Sequence, residues 1–174
     1  LKNNQLSWRR WHEEMNNIVD ILLKKSLVKP RYNIHTSIEN IDNLLLQLNA
    51  EQALAVDAVA NHNLILLSGG PGTGKTTTII SMIVKAFSIK DNLNIGLCAP
   101  TGKAARRLEE TLKKSLSHLN SKYRSKLSNI PCLTIHSWLQ ASDKGFIKNK
   151  VRPLQLDLLV VDEMSMVDFS LMNG

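Results

Sequence analysis

Eight consecutive residues, Gly69-Gly70-Pro71-Gly72-Thr73-Gly74-Lys75-Thr76, carry the densest chemistry in the chain. They fit a spacing of Gly, four residues, Gly, Lys, then Ser or Thr, which is the template of a phosphate-binding loop. Half of the chain's eight glycines lie inside this run. A backbone so bare can turn tightly and aim its N–H groups at phosphate oxygens. The helical pattern that starts at Thr77 would present its N-terminal dipole end to the same anion. Lys75 would reach the β- and γ-phosphates and the Thr76 hydroxyl would hold Mg²⁺. A glycine-rich strand-to-helix turn without a ligand needs neither Lys nor Thr at those offsets.

A second chemical pair lies downstream. The apolar run Leu158-Leu159-Val160-Val161 ends in Asp162 and Glu163. In metal-assisted phosphate chemistry an acid so placed contacts the Mg²⁺, often through water, and a second acid polarises the attacking water. Asp162 takes the metal role in this reading and Glu163 the general-base role. Two acids after an apolar run would by themselves fit a surface turn. With the phosphate loop upstream and strand–helix units between, they suit hydrolysis of a phosphoanhydride, with ATP and Mg²⁺ as cofactors.

The elements that must position these residues can be read from periodicity. Ser7 to Lys25 has apolar residues at three- and four-residue spacing, through Trp8, Trp11, Met15, Ile18 and Leu22, and predicts a helix. Pro30 breaks it, and Ile38 to Leu48 predicts another. Asn49 is placed to cap a helix from Ala50 to about Ala60, with Gln52 at its third position. A strand over Leu64–Leu67 leads into the phosphate loop, and a helix over Lys75–Ile89 leads out of it. A strand follows over Asn94–Ala99, then Pro100-Thr101-Gly102 and a helix over Lys103–Leu119. Residues 120–131 read as a polar connection, Thr134–Leu139 as a short helical or turn element, and 141–153 as a charged loop or hairpin. A strand over Leu156–Val161 carries the acids. The three strands are apolar on both faces, as central strands of a parallel sheet are. Alternating strands and helices predict an α/β three-layer sandwich with a mostly parallel sheet. Every candidate residue then falls at the carboxyl end of a strand.

At 174 residues the chain can bury one core, and its formal net charge is +7. Residues 103–126 hold eight basic groups against two acidic ones. That surplus fits a polyanion such as nucleic acid, or a solvated helix face. Cys98 and Cys132 match no metal spacing, so they read as small buried side chains in a reducing, cytoplasmic setting. No apolar run approaches the roughly 18–20 residues of a membrane span, so no membrane partner is expected. The chain begins at Leu1 and stops at Gly174 in mid-pattern, so both ends read as cut.

Four blocks, GGPGTGKTTT from Gly69, APTGKAA from Ala99, TIHSWL from Thr134 and VVDEMSM from Val160, together resemble the motifs I, Ia, Ib and II of superfamily 1 DNA helicases, in order. Within them the chain resembles the RecD family, the alpha chains of exodeoxyribonuclease V. The stretch from Glu51 to Val56 is similar to the family's upstream Gln motif, and the Trp-rich helix to the segment that precedes the motor. The resemblance implies a P-loop NTPase of RecA-like fold, here incomplete. It comprises a small helical segment (1–48) and a first RecA-like ATPase domain (49–174). It implies a motor moving 5′ to 3′ on single-stranded DNA, within a helicase–nuclease heterotrimer that works on DNA ends in double-strand-break repair. A stand-alone RecD-like helicase, or an inactive remnant that still binds nucleotide, are the alternatives.

By the same resemblance ATP is held by Gln52, Gly69, Gly70, Pro71, Gly72, Thr73, Gly74, Lys75, Thr76 and Thr77. Gln52 would bond the adenine edge, or only pair with Asn49 as a cap. Lys75 and Glu163 would be catalytic, and Thr76 and Asp162 would hold Mg²⁺. Thr101, Gly102 and Lys103 would contact the DNA backbone, or form a plain glycine turn and cap; Thr134 and His136 would add a second contact, or be structural. Trp8, Trp11 and Trp138 fit base stacking less well than core or subunit interface. The family's remaining motifs are expected to follow Glu163: a polar sensor strand, a second RecA-like domain and the arginine fingers. Residues 1–174 alone are therefore expected to hydrolyse ATP poorly and not to unwind DNA.

Overall fold

A computed structural model describes residues 9–28, 30, 48–70, 72–143 and 145–173. Trp8, Pro71 and nearly all of the helix expected over 38–48 lie outside the described residues. Seven helices and five strands are formed among the described residues: α1 (Arg9–Leu27), α2 (Ala50–Asn61), α3 (Lys75–Ile89), β1 (Ile95–Ala99), α4 (Gly102–Ser115), α5 (Ser121–Ser128), β2 (Cys132–Thr134), α6 (Ile135–Leu139), β3 (Ala141–Ser142), β4 (Gly145–Phe146), β5 (Leu158–Val161) and α7 (Phe169–Asn173).

The main sheet has the order β2-β1-β5, with both pairings parallel. All five residues of β1 are buried. Side chains alternate across a strand, and the two faces of β1 are covered differently. Ile95 and Leu97 join a core with Ile80, Ile83, Val84 and Phe87 of α3, Leu108 and Leu112 of α4, and Tyr123 and Leu127 of α5. α4 supplies its share because Ala105, Leu108 and Leu112 recur at helical spacing on a strongly amphipathic helix. On the opposite face Trp138 of α6 lies over Gly96, and its indole Nε1 donates to Leu97 O at 2.9 Å. Trp138 is thus spent on the sheet rather than offered to a base. Asp157 closes the amino end of the sheet: it accepts from Asn94 N at 2.9 Å and Lys90 Nζ at 3.2 Å. Those bonds, first the one from Asn94, hold its carboxyl below the usual range.

The expected strand over Leu64–Leu67 is not formed. Residues 64–70 make no ladder with any described strand, and Leu66 is 77% exposed. Apolar character suits a central strand, but a strand exists only through its neighbours; β5 ends the sheet, and no described strand pairs with residues 64–67. Residues 120–131, read as a connection, instead hold α5. Asn120 caps it by accepting from Tyr123 N, and Tyr123 and Leu127 bury into the core. The charged stretch from 141 forms the antiparallel hairpin β3–β4, with Ala141 opposite Phe146. The helix expected over Lys103–Leu119 ends earlier, as α4 followed by a 3-10 turn at Leu116–His118. Trp11, expected in a core or interface, is 60% exposed among the described residues; α1 packs against α7, and Ile18 of α1 and Leu171 of α7 are both buried.

Cys98 is a free thiol whose burial, with a smaller push from Cys132, raises its pKa to about 12. Burial raises Cys132 to about 11. Neither is a thiolate at neutral pH, so neither is a nucleophile there.

A methyl group at Gly96 would lie 2.6 Å from Trp138 Cζ2 and 2.9 Å from Leu156 Cδ1. Gly96→Ala is expected to destabilise the fold by about 1–3 kcal/mol through overpacking. In a urea-melt double-mutant cycle, Trp138→Leu should return part of that loss. Independent, additive effects would show that the ring does not rest on Gly96.

Candidate functional site

The registers of the sheet bring its carboxyl ends level. Ala99 lies opposite Thr134, and Cys98 opposite Val161. Pro100-Thr101, Ile135-His136 and Asp162-Glu163 therefore leave adjacent strands along one edge. Asp162 N donates to Cys98 O at 2.9 Å, which carries the ladder one residue past β5. Asp162 Oδ1 then accepts Glu163 N at 2.9 Å. Glu163 sits in the left-handed region, with φ 52° and ψ 42°. That conformation is costly for a residue with a Cβ, and such strain concentrates at working sites. It throws the chain into the 3-10 turn Met164–Met166 and leaves Glu163 exposed while Asp162 is half-buried.

The phosphate loop is built by side chains that all seek its carbonyl oxygens. Lys75 Nζ donates to Gly69 O at 2.6 Å and Gly70 O at 2.8 Å. Thr73 Oγ1 donates to Gly70 O at 2.9 Å, Gln52 Nε2 to Thr73 O at 3.0 Å, and Thr78 Oγ1 to Gly74 O at 3.1 Å. No acceptor among the described residues takes the N–H of Gly69, Gly70, Gly72, Thr73 or Gly74. Four of the loop's acceptors are taken, and the donors of its described residues are left over. Gly72 (φ 75°) and Gly74 (φ 78°) take the left-handed turns that require glycine.

The helix that follows has the same polarity. Side chains of Asn49, Thr101, Asn120 and Thr134 cap α2, α4, α5 and α6, whereas the N-cap of α3 is Gly74, which has no side chain to give. The first N–H groups of α3 keep their need for an acceptor, at the positive end of its dipole. The Thr76 hydroxyl, unlike those of Thr73 and Thr78, makes no hydrogen bond among the described residues. Thr77 is exposed and lends its carbonyl to Ser81 Oγ at 3.0 Å. These residues fit a Mg²⁺–nucleotide: spare N–H donors for phosphate, an ammonium held only by two neutral carbonyls, and a Thr76 hydroxyl with no hydrogen bond among the described residues. Lys85, on the same helix, is instead buried and pairs with Asp57 of α2 at 3.5 Å.

Gln52 lies beside the loop while also completing a capping box. Its Oε1 accepts Asn49 N at 3.0 Å and its own N–H goes to Asn49 Oδ1 at 2.9 Å. Thr101 Oγ1 accepts Ala104 N at 3.2 Å, and Thr134 Oγ1 accepts Ser137 N at 3.1 Å. Gly102 is exposed with open space around it, and His136 is exposed with its ring 6.3 Å from that of Phe146 in the hairpin.

Seven of the eight basic groups in residues 103–126, all but Lys114, fall into two sets. Lys113 pairs with Glu109, and Lys122 and Lys126 both pair with Asp91, at 3.1 and 2.6 Å. Arg124 caps the end of the α4 extension through Leu116 O and Leu119 O, each at 3.0 Å. Those four cations hold the fold together. Lys103, Arg106 and Arg107 stand exposed at the start of α4, next to Thr101, with no ion pair among the described residues.

Residues 52–174 match the profile of a family described as an AAA domain. The chain is 42% identical over 125 residues to the ATP-dependent RecD2 DNA helicase of Deinococcus radiodurans, covering 72% of this chain and 15% of that protein. It is 38% identical over 173 residues to the RecBCD enzyme subunit RecD of Buchnera aphidicola from Acyrthosiphon pisum, and 36% identical over 177 residues to that of Haemophilus influenzae. Each of these two matches covers 95% of this chain and 28% of the relative. The chain thus spans less than a third of the length of the relatives it matches. Among the described residues no helix is long and apolar enough to cross a membrane, and no cluster of three or more His, Cys, Asp or Glu could hold a metal.

Thr101→Ala is expected to cost about 1 kcal/mol in a thermal or urea melt, because it removes the cap of α4. Thr101→Asp keeps a capping oxygen and should melt within about 0.5 kcal/mol of the parent. Equal losses for the two variants would mean that the cap does not hold α4.

Proposed function

Since the chain belongs to the AAA domain family, we propose that it is the nucleotide-binding lobe of an ATP-dependent 5′-to-3′ DNA helicase of the RecD type. The observation that carries this reading is the loop at Gly69–Gly74, where side chains take the carbonyls of Gly69, Gly70, Thr73 and Gly74 while the N–H groups of its described residues stay open. A triphosphate is the ligand that such an array of donors suits. Lys75 would leave two neutral carbonyls for phosphate oxygens, which are stronger acceptors. Pro71 belongs to the same loop by sequence. Mg²⁺, held by Thr76 and Asp162, would supply charge neutralisation between the phosphates. Glu163 would orient the attacking water and take its proton.

Single-stranded DNA would follow the edge where Thr101, Gly102, Lys103, Thr134 and His136 leave the sheet. Lys103, Arg106 and Arg107 supply the unpaired positive charge there, so the contact is to backbone phosphates and not to bases. The matches to RecD subunits reach up to 95% of the chain, against 72% for the RecD2 helicase, which favours a subunit of a helicase–nuclease complex acting on DNA ends. We propose residues 1–48 as a separate helical segment, because the family match starts only at residue 52. A cytoplasmic setting accords with two free, protonated cysteines. Two lobes would have to close on nucleotide for movement along DNA, and a charge-stabilising arginine from the other lobe is worth roughly 10³–10⁵ in rate.

Lys75→Ala is expected to lower ATP affinity at least tenfold in calorimetric titration, while exposed Lys114→Ala changes it less than twofold. Equal effects would overturn the loop assignment. Binding of single-stranded DNA should weaken with salt at a log–log slope of roughly −0.7 per phosphate neutralised, and Lys103→Ala should remove about 0.7 from that slope. Thr101→Asp should lose DNA affinity without losing stability. A salt-independent interaction would exclude the edge as a backbone track.

A further inference from the structure

Gln52 does more in this structure than cap a helix. Its Nε2 donates to Thr73 O at 3.0 Å, from an element 21 residues earlier in the chain. The same nitrogen would stand 2.6 Å from a methyl group built on Gly74, so the amide is laid directly on the Thr73–Gly74 peptide. A trans peptide is planar, with its C=O and N–H pointing in opposite directions. Holding the Thr73 carbonyl toward α2 therefore turns the Gly74 N–H away from α2. That N–H is the last loop donor before α3 and one of those that no described acceptor takes. Gly74 has φ 78°, and the torsions of a glycine are permissive enough that its peptide needs an external hold.

We infer that Gln52 is a positioning residue for the phosphate loop: it pins the Thr73 carbonyl so that the Gly74 N–H is aimed at the triphosphate, and its contribution is independent of the base. The inference rests on the proposed nucleotide site and gives α2 a place in it. Asn49 is the anchor of the device. Its backbone N–H holds Gln52 Oε1 at 3.0 Å, which fixes the amide plane and leaves Nε2 facing the loop. Asp57, further along α2, holds Lys85 of α3 at 3.5 Å, so the helix that carries Gln52 is tied to the helix the loop feeds. An adenine contact would draw on the same amide but would make a different demand, since it would discriminate between bases.

The test is the substitution Gln52→Glu in the 174-residue chain. A glutamate still accepts Asn49 N, and so keeps the cap, but offers Thr73 O no donor; since it also adds a negative charge, Gln52→Met, which has neither donor nor charge, is measured beside it and must weaken binding of all three ligands as well. Binding of ATP, GTP and inorganic tripolyphosphate, each with Mg²⁺, would be compared by calorimetry. All three should weaken by the same factor, roughly three- to tenfold for one lost hydrogen bond, with the melting temperature unchanged. Gly96→Ala, which overpacks the sheet against Trp138 and touches neither Gln52 nor the loop, should lower the melting temperature and leave tripolyphosphate binding unchanged. A loss confined to ATP would make Gln52 a reader of adenine and overturn the inference, as would unchanged tripolyphosphate binding by Gln52→Glu. If the parent chain binds none of the three, or Lys75→Ala binds them as well as the parent does, the nucleotide site itself falls, and this role of Gln52 with it.

Discussion

The parallel pairing of β1 on both of its edges is the constraint from which the other features follow. A five-residue strand buried on both faces leaves no room for a register slip, because a shift of one residue would exchange Ile95 and Leu97 for Gly96 and Cys98 against α3 and α4. Once the register is set, three chain segments must leave the sheet side by side. The acid pair, the start of α4 and the start of α6 are neighbours for that reason. Gly96 completes the arrangement on the far face: without a side chain there, Trp138 can lie on the strand and bring α6 down beside β2.

The helices on this edge show how one residue type can answer two demands. Thr101 and Thr134 are N-caps first, since each hydroxyl accepts from the third residue of its helix. A capped N-terminus still directs further N–H groups and a positive dipole outward. Capping and phosphate contact are therefore compatible readings of the same threonine. The charges follow a comparable division. Half of the basic groups in 103–126 close the fold around Asp91, Glu109 and the end of the α4 extension, and the remaining half includes the three at the start of α4.

The parts of this fold that were legible in the sequence are those fixed by local chemistry. Asn49 and Gln52 announce α2, the glycines and Lys75 announce the loop and α3, and Thr101-Gly102 announces α4; each signal lies within a few residues of what it specifies. The parts that were not legible depend on partners distant in sequence. Leu64–Leu67 has the composition of a central strand but no described neighbour to pair with. β2 spans only Cys132–Thr134, too short for any periodicity, and exists because Leu97 and Ala99 lie alongside. α5 is disguised by a surface of Lys, Arg and Ser, and only Tyr123 and Leu127 face inward. The loop itself was legible as a motif; that Gln52 lies against it was not, because the contact joins α2 to a turn in the tertiary structure.

The electrostatic character of the loop then follows by subtraction. A peptide segment carries equal numbers of donors and acceptors apart from proline, and it is neutral until something takes one kind and leaves the other. Here Lys75, Thr73, Gln52 and Thr78 together cover Gly69 O, Gly70 O, Thr73 O and Gly74 O. The N–H groups remain, and glycine at the N-cap of α3 extends that surplus into the helix. Asparagine or threonine at position 74 would push the Gln52 amide off the loop and would offer an oxygen to the first N–H groups of α3 in place of an anion. In the proposed site the polarity of the loop rests on side chains from α2 and α3 that occupy its carbonyls as well as on the charge of Lys75, so that α2 would be part of the site and not merely its neighbour.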